Sequence, residues 1–138
     1  MYKMLPVLAL IMVCSGCTKN QKTACGTQAC TDVFASVGVN FKDKTHKGVN
    51  VADYSVTNLR TGQKLTNVIS ATADFVPGYR VVADDSNLID LSTDGDELKV
   101  SATNPTTHEI LTATFKVAGG CNCHVAKKAG PDSIVFKQ

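Results

Sequence analysis

Residues 33–41 read Val33-Phe34-Ala35-Ser36-Val37-Gly38-Val39-Asn40-Phe41. Val33, Ala35, Val37, Val39 and Phe41 share one parity; Phe34, Ser36, Gly38 and Asn40 share the other. A period of two sends alternate side chains to opposite faces, which is the geometry of a strand and not of a helix. The predicted first strand therefore carries an apolar face made mostly of valine, a residue that suits a pleated, half-buried surface.

The same period recurs outward from this stretch. Val49, Val51 and Asp53 share one parity, and Ala52, Tyr54 and Val56 the other. Thr61-Gly62 reads as a turn into a short strand over Lys64–Ile69. Val76-Pro77-Gly78 is a turn, since proline presets φ and glycine permits positive φ. A strand starting with Tyr79, Val81 and Ala83 follows it. Leu98, Val100 and Ala102 pair with Ile110–Val117 across Asn104-Pro105-Thr106-Thr107. Gly119-Gly120 breaks the chain, and Gly130-Pro131-Asp132 turns it into a last strand, Ser133–Phe136. No segment carries a convincing helical period. Short strands with turn signals near every ten residues predict an all-β fold. The expected architecture is an antiparallel β-sandwich, Ig-like or transthyretin-like, of about seven strands.

Composition bounds the function. At 138 residues the chain has room for one domain. Its 43% hydrophobic content argues against disorder. A net charge of +2 argues against a nucleic-acid binder working by bulk positive charge. No apolar run reaches the roughly 18–20 residues that a membrane span needs. Six cysteines are many for a cytosolic chain of this size, so the compartment comes first.

Lys3, the apolar stretch Leu5–Val13 and then Cys14-Ser15-Gly16-Cys17 have the order of an export signal. The segment resembles the lipobox of bacterial lipoproteins, in which a peptidase cuts before the cysteine and diacylglycerol is attached to its sulfur. Cys14 stands where that family usually has leucine. The resemblance implies lipidation of Cys17 and three parts: a signal peptide over 1–16, a lipidated N terminus and tether over 17–30, and a sandwich over 31–138. It implies a cell-envelope protein anchored in membrane lipid, with the outer membrane as the expected site. Each buried methylene is worth about 0.8 kcal/mol, so two or three acyl chains hold stably where one does not. Thr18–Ala24 is a polar tether that reaches at most about 25 Å.

Four cysteines remain, Cys25, Cys30, Cys121 and Cys123, the even number of a disulfide framework in an exported chain. A bridge within Cys121-Asn122-Cys123 would be strained, which favours bridges between the early and late clusters. Such bridges close loops of roughly 90 residues and contribute about 4–5 kcal/mol in the chain-entropy model. The competing reading is a zinc or copper site built from Cys25, Cys30, Cys121, Cys123 and His124. Its spacings, four residues and then one, are not those of structural zinc sites, and exported thiols oxidise. His124 alone reads as a satisfied polar residue near a strand end.

Asp84, Asp85, Asp90, Asp94, Asp96 and Glu97 crowd into one segment. Asp90, Asp94 and Asp96, with Ser92 and Gly95, match the opening of a calcium loop, but its closing position is Ser101 and not glutamate. Asp94-Gly95 is equally a hairpin turn. Lys127-Lys128 reads as a solvated turn. No nucleophile elbow, His-Glu-x-x-His or phosphate loop occurs.

Residues Phe34–Tyr79, with VNVADYSVTN and a Pro-Gly-Tyr strand, resemble transthyretin-like or carboxypeptidase-regulatory-like modules. CGTQAC and CNCHVAKKAGP together resemble small lipoproteins of Bacteroidota. The functional expectation is a non-enzymatic structural or binding module of the envelope, without a cofactor. Its alternatives are an envelope metal-binding protein, and an accessory that contacts a glycan, a peptide or another envelope protein.

Overall fold

The computed structural model describes residues 25–66 and 76–137. The expectations for residues 1–24, lipidation of Cys17 among them, and for the predicted strand over 67–69, lie outside the described residues. Within the described residues seven strands form two sheets: β1 (Ser36–Lys42), β2 (Ala52–Asn58), β3 (Tyr79–Asp84), β4 (Asp96–Thr103), β5 (Ile110–Ala118), β6 (Ala126–Ala129) and β7 (Ser133–Val135). One sheet has the order β3-β1-β7 and the other β2-β4-β5-β6. The expected all-β sandwich is the observed architecture. A 3-10 turn, Asp85–Asp90, interrupts the strand pattern between β3 and β4. Among the described residues no helix is long and apolar enough to cross a membrane.

The core lies between the sheets. Phe41, Phe115 and Phe136 are fully buried with Leu98, Val39, Val56, Val82, Val100 and Val117. Phe41 stacks on Phe136 and meets Tyr54 edge-on, each at 6.1 Å between ring centroids. These edge and offset arrangements suit the aromatic quadrupole. In β4 the alternation is complete: Leu98, Val100 and Ala102 face inward, and the residues between them face outward or lie half-buried.

Strand β1 keeps the expected parity for Val37, Val39 and Phe41 but begins at Ser36, so Val33 and Phe34 stand out in solvent. Tyr79 explains its glycine: a Cβ on Gly38 would lie 2.1 Å from the tyrosine hydroxyl. Val51, just before β2, and Val56 within it are both buried despite opposite parity. The register shifts between Ala52 and Ser55, where Asp53 adopts φ of 50°. This bulge inserts one residue and moves the inward face from odd to even positions.

The β4–β5 hairpin forms as expected, from Thr103 opposite Ile110 to Asp96 opposite Val117. Strand β6 corrects the expectation for Lys127-Lys128. These residues are not a turn; they lie in an edge strand hydrogen-bonded to β5. All four β6 residues are exposed, so no apolar alternation betrays it. Lys64, expected to open a strand, makes an isolated bridge to Thr57.

One pair departs from the antiparallel pattern: β7 runs parallel to β1. Strand β6 leaves the end of the sandwich where β1 also starts. The chain then crosses to the other sheet at Gly130-Pro131-Asp132 without reversing, and meets β1 in the same direction. A hairpin forces antiparallel neighbours, whereas a crossover between sheets does not.

Candidate functional site

The end of the sandwich where β1 and β6 begin gathers residues 25–35, the 3-10 turn and residues 119–125. Two disulfides hold it, Cys25–Cys121 and Cys30–Cys123, with Cα atoms 5.2 and 5.3 Å apart. Both join the early cluster to the late one. Strain within the Cys-x-Cys pair predicts this class of pairing but does not choose between its two forms. Gly120 turns the chain into Cys121 with φ of 60°, in a place where a Cβ would meet Thr93 at 2.7 Å.

Asp85 is the hub beside the bridges. Its Oδ2 accepts from the Ala35 N–H at 2.8 Å and its Oδ1 from the Val125 N–H at 2.8 Å. The His124 Nδ1 lies 2.7 Å from Oδ2. Burial pushes this carboxyl up, but the two backbone donors and the imidazole outweigh it and hold Asp85 below the ordinary aspartate range. With Nδ1–H directed at Asp85, the Nε2 of a neutral His124 is left to accept from the Thr31 hydroxyl, 2.9 Å away.

Hydroxyl, imidazole and carboxylate thus stand in the order used for nucleophilic catalysis. Thr31, however, lies on an exposed segment outside any strand and lines neither of the two described clefts. What the geometry does is tie three segments, 31–35, 85 and 124–125, at one carboxylate.

This arrangement corrects the metal reading. Cys25, Cys30, Cys121 and Cys123 are spent in bridges, and both His124 ring nitrogens have partners, so no thiolate or imidazole lone pair is left for zinc or copper. Among the described residues no group of three or more His, Cys, Asp or Glu side chains is placed to hold a metal ion.

The calcium reading is corrected as well. Asp96 is 4% exposed, and its carboxylate faces Arg60 and Asn58, not Asp90 and Asp94. Arg60 Nε donates to Oδ1 at 2.7 Å and Nη2 to Oδ2 at 2.8 Å, while Asn58 Nδ2 donates to Oδ2 at 2.7 Å. Burial pushes Asp96 up, but Arg60, Asn58 and Ser92 pull it far below the usual carboxylate range. Asp90 contributes only its backbone carbonyl, to Asn58 and Arg60. Asp94-Gly95 is a turn, with Gly95 at φ of 102°, but it leads from the 3-10 turn into β4 and is not the hairpin turn that the sequence suggested, since β3 and β4 lie in different sheets.

Arg60 and Asn58 escape sequence reasoning, because nothing in their spacing announces a partner 36 or 38 residues away. They also border the larger described cleft, about 500 Å³, which Gln63, Lys64, Ile89 and Asp90 help to line. A second cleft of about 270 Å³, between Asp43, Thr45, Val49, Asn104 and Thr107, lies at the opposite end.

Comparison with protein-family models, with curated proteins and with solved structures returned no match. The reading of this chain therefore rests on its own residues and geometry. His46 and His108 are both exposed, with φ of 64° and 60°.

Proposed function

We propose that this chain is a lipid-anchored module of the bacterial cell envelope, held to a membrane through Cys17 and acting there as a non-enzymatic structural or binding component. The membrane is the outer one, and the chain groups with small Bacteroidota-type lipoproteins bearing a transthyretin-like sandwich. The observation that carries the reading is the pair of bridges, Cys25–Cys121 and Cys30–Cys123. Such bridges persist in oxidising compartments and not in a reducing cytosol, so they support export. Export fits the leader and its Cys-Ser-Gly-Cys17 ending. In this reading the disulfides clamp the end of the domain from which the tether leaves, so strain on the anchor is passed to the sandwich.

The test is intact mass combined with non-reducing peptide mapping of the membrane fraction. The expected result is a chain beginning at a diacylglyceryl-modified Cys17 and carrying both bridges. An unmodified Cys17 in a soluble, full-length chain would overturn the proposal.

A second reading, a glycan- or peptide-binding accessory, is favoured by the Arg60 cleft. Asp96 orients the guanidinium, and Gln63 and Lys64 supply further donors at its wall. Clefts with a few converging polar groups are the default binding sites of small domains. Thermal-shift screening of envelope glycans and peptides checks it. Stabilisation by one of them that disappears in Gln63→Ala/Lys64→Ala supports this reading, and no shift with any of them counts against it.

A further inference from the structure

Seven large apolar side chains are well exposed among the described residues; Val76, Ile110 and Val135 lie at the far end of the sandwich, and the other four at the stapled end. Val33 and Phe34 are 65% and 68% exposed, Ile89 is 75% exposed and Leu59 is 49% exposed. Strand register places all four at one end of the sandwich. Ser36 pairs with Asp84, so residues 33–35 adjoin the 3-10 turn that carries Ile89. Asn58 pairs with Leu98 near the start of β4, which puts Leu59 at the same end. Exposed apolar residues are ordinary by themselves, so the choice between the two ends rests on where the chain enters the domain.

The chain leading to this end says what covers it. Cys25 is bridged to Cys121 there. Only Thr18–Ala24 separate it from Cys17, a reach of at most about 25 Å. A lipid on Cys17 keeps this end within one tether length of the bilayer, at high effective concentration. We propose that the stapled end docks on the membrane, with Val33 and Phe34 inserted into the headgroup boundary and Ile89 and Leu59 beside them. The inference rests on lipidation of Cys17 and deepens that reading by naming the face that meets the lipid.

Charge does not drive the contact, because Asp32, Asp90 and Asp94 are exposed at this end and oppose Arg60 and Lys64. The contact is an apolar one, in the manner of a shallow interfacial anchor. Zwitterionic vesicles are therefore the appropriate probe.

The chain has no tryptophan, so a single introduced one reports without background. Phe34→Trp and Ile110→Trp each alter an exposed position and leave the core intact. Position 110 lies at the far end of β5, eight residues from Ala118 and about 27 Å away. Full-length protein carrying either substitution is purified from membranes, its mass at Cys17 is checked, and it is reconstituted into phosphatidylcholine vesicles containing brominated-chain lipid. The expected result is a blue-shifted tryptophan emission from the Phe34→Trp protein, quenched several-fold more strongly than that of the Ile110→Trp protein. Equal, weak quenching in both proteins with Cys17 lipidated would overturn the docking and leave the anchor standing. An unmodified Cys17 would overturn the anchor, and the docking with it.

Discussion

Asp96 and Asp85 show how much of this molecule hangs on two carboxylates. Each is ionised in the fold at a pH where an ordinary aspartate is protonated, because the donors around it outweigh the cost of burial. The sign of the linkage follows. A folded value below the unfolded one contributes stability in full above about pH 5, and that stability is lost as pH falls through the unfolded value toward the lowered folded one. Asp96→Asn should therefore melt below the parent near neutral pH, with the difference shrinking between about pH 5 and pH 2. Melting temperature against pH reads this directly, and a constant difference would contradict it. Asp85→Ala should cost about 2–4 kcal/mol, since it strands the Ala35 and Val125 N–H groups as well as His124. Urea midpoints give that loss. Amide exchange should rise at Ala35 and Val125 beyond the global change.

At the scale of elements, periodicity is informative wherever one face of a strand is buried. The faces of β1 and β4 and the β4–β5 turn are legible from alternation alone. Strand β2 is legible as a strand but not in its facing, because the bulge at Asp53 changes parity part-way through. Strand β6 is illegible, since Ala126-Lys127-Lys128-Ala129 is exposed throughout and is a strand only through its backbone pairing with β5. Its lysines have a physical role there. An edge strand offers unpaired backbone groups to other chains, and charged side chains discourage that pairing. Replacing both, Lys127→Val/Lys128→Val, should leave the monomer fold intact and promote self-association. Size-exclusion chromatography across a concentration series checks it, and a strictly monomeric variant would show that the edge is protected by other means. Lys127 also pairs with Asp132, so Asp132→Asn separates loss of that pair from loss of edge charge.

For the whole molecule, the two bridges act as one device. Their sequence separations are 96 and 93 residues, so either bridge alone closes nearly the same long loop. Once one has closed it, the other closes only the short circuit between residues 25–30 and 121–123. In the chain-entropy model the long closure contributes about 4–5 kcal/mol and the short one about 2–3 kcal/mol. Removing either pair, as Cys25→Ser/Cys121→Ser or Cys30→Ser/Cys123→Ser, should cost only about 2–3 kcal/mol, and removing both should cost about 7 kcal/mol. Non-reducing urea denaturation of the three variants measures this, and simple additivity would contradict the shared-loop account. A fold with a small core between two short sheets depends on such staples, because its area of contact is limited.

The sequence by itself determined the fold class, the parity of β1 and β4, the turns at Pro77-Gly78 and Asn104–Thr107, and the linking of the two cysteine clusters. Each depends on local chemistry: side-chain alternation, the backbone freedom of Gly and Pro, and the strain of bridging neighbouring cysteines. Only the tertiary structure decided which cysteine meets which, that Arg60 takes Asp96 away from any calcium site, that Asp85, His124 and Thr31 converge, and that β7 runs parallel to β1. Those facts arise from contacts between residues tens of positions apart. No local period encodes such contacts, because they exist only once two sheets have packed and brought distant segments to the same end of the molecule.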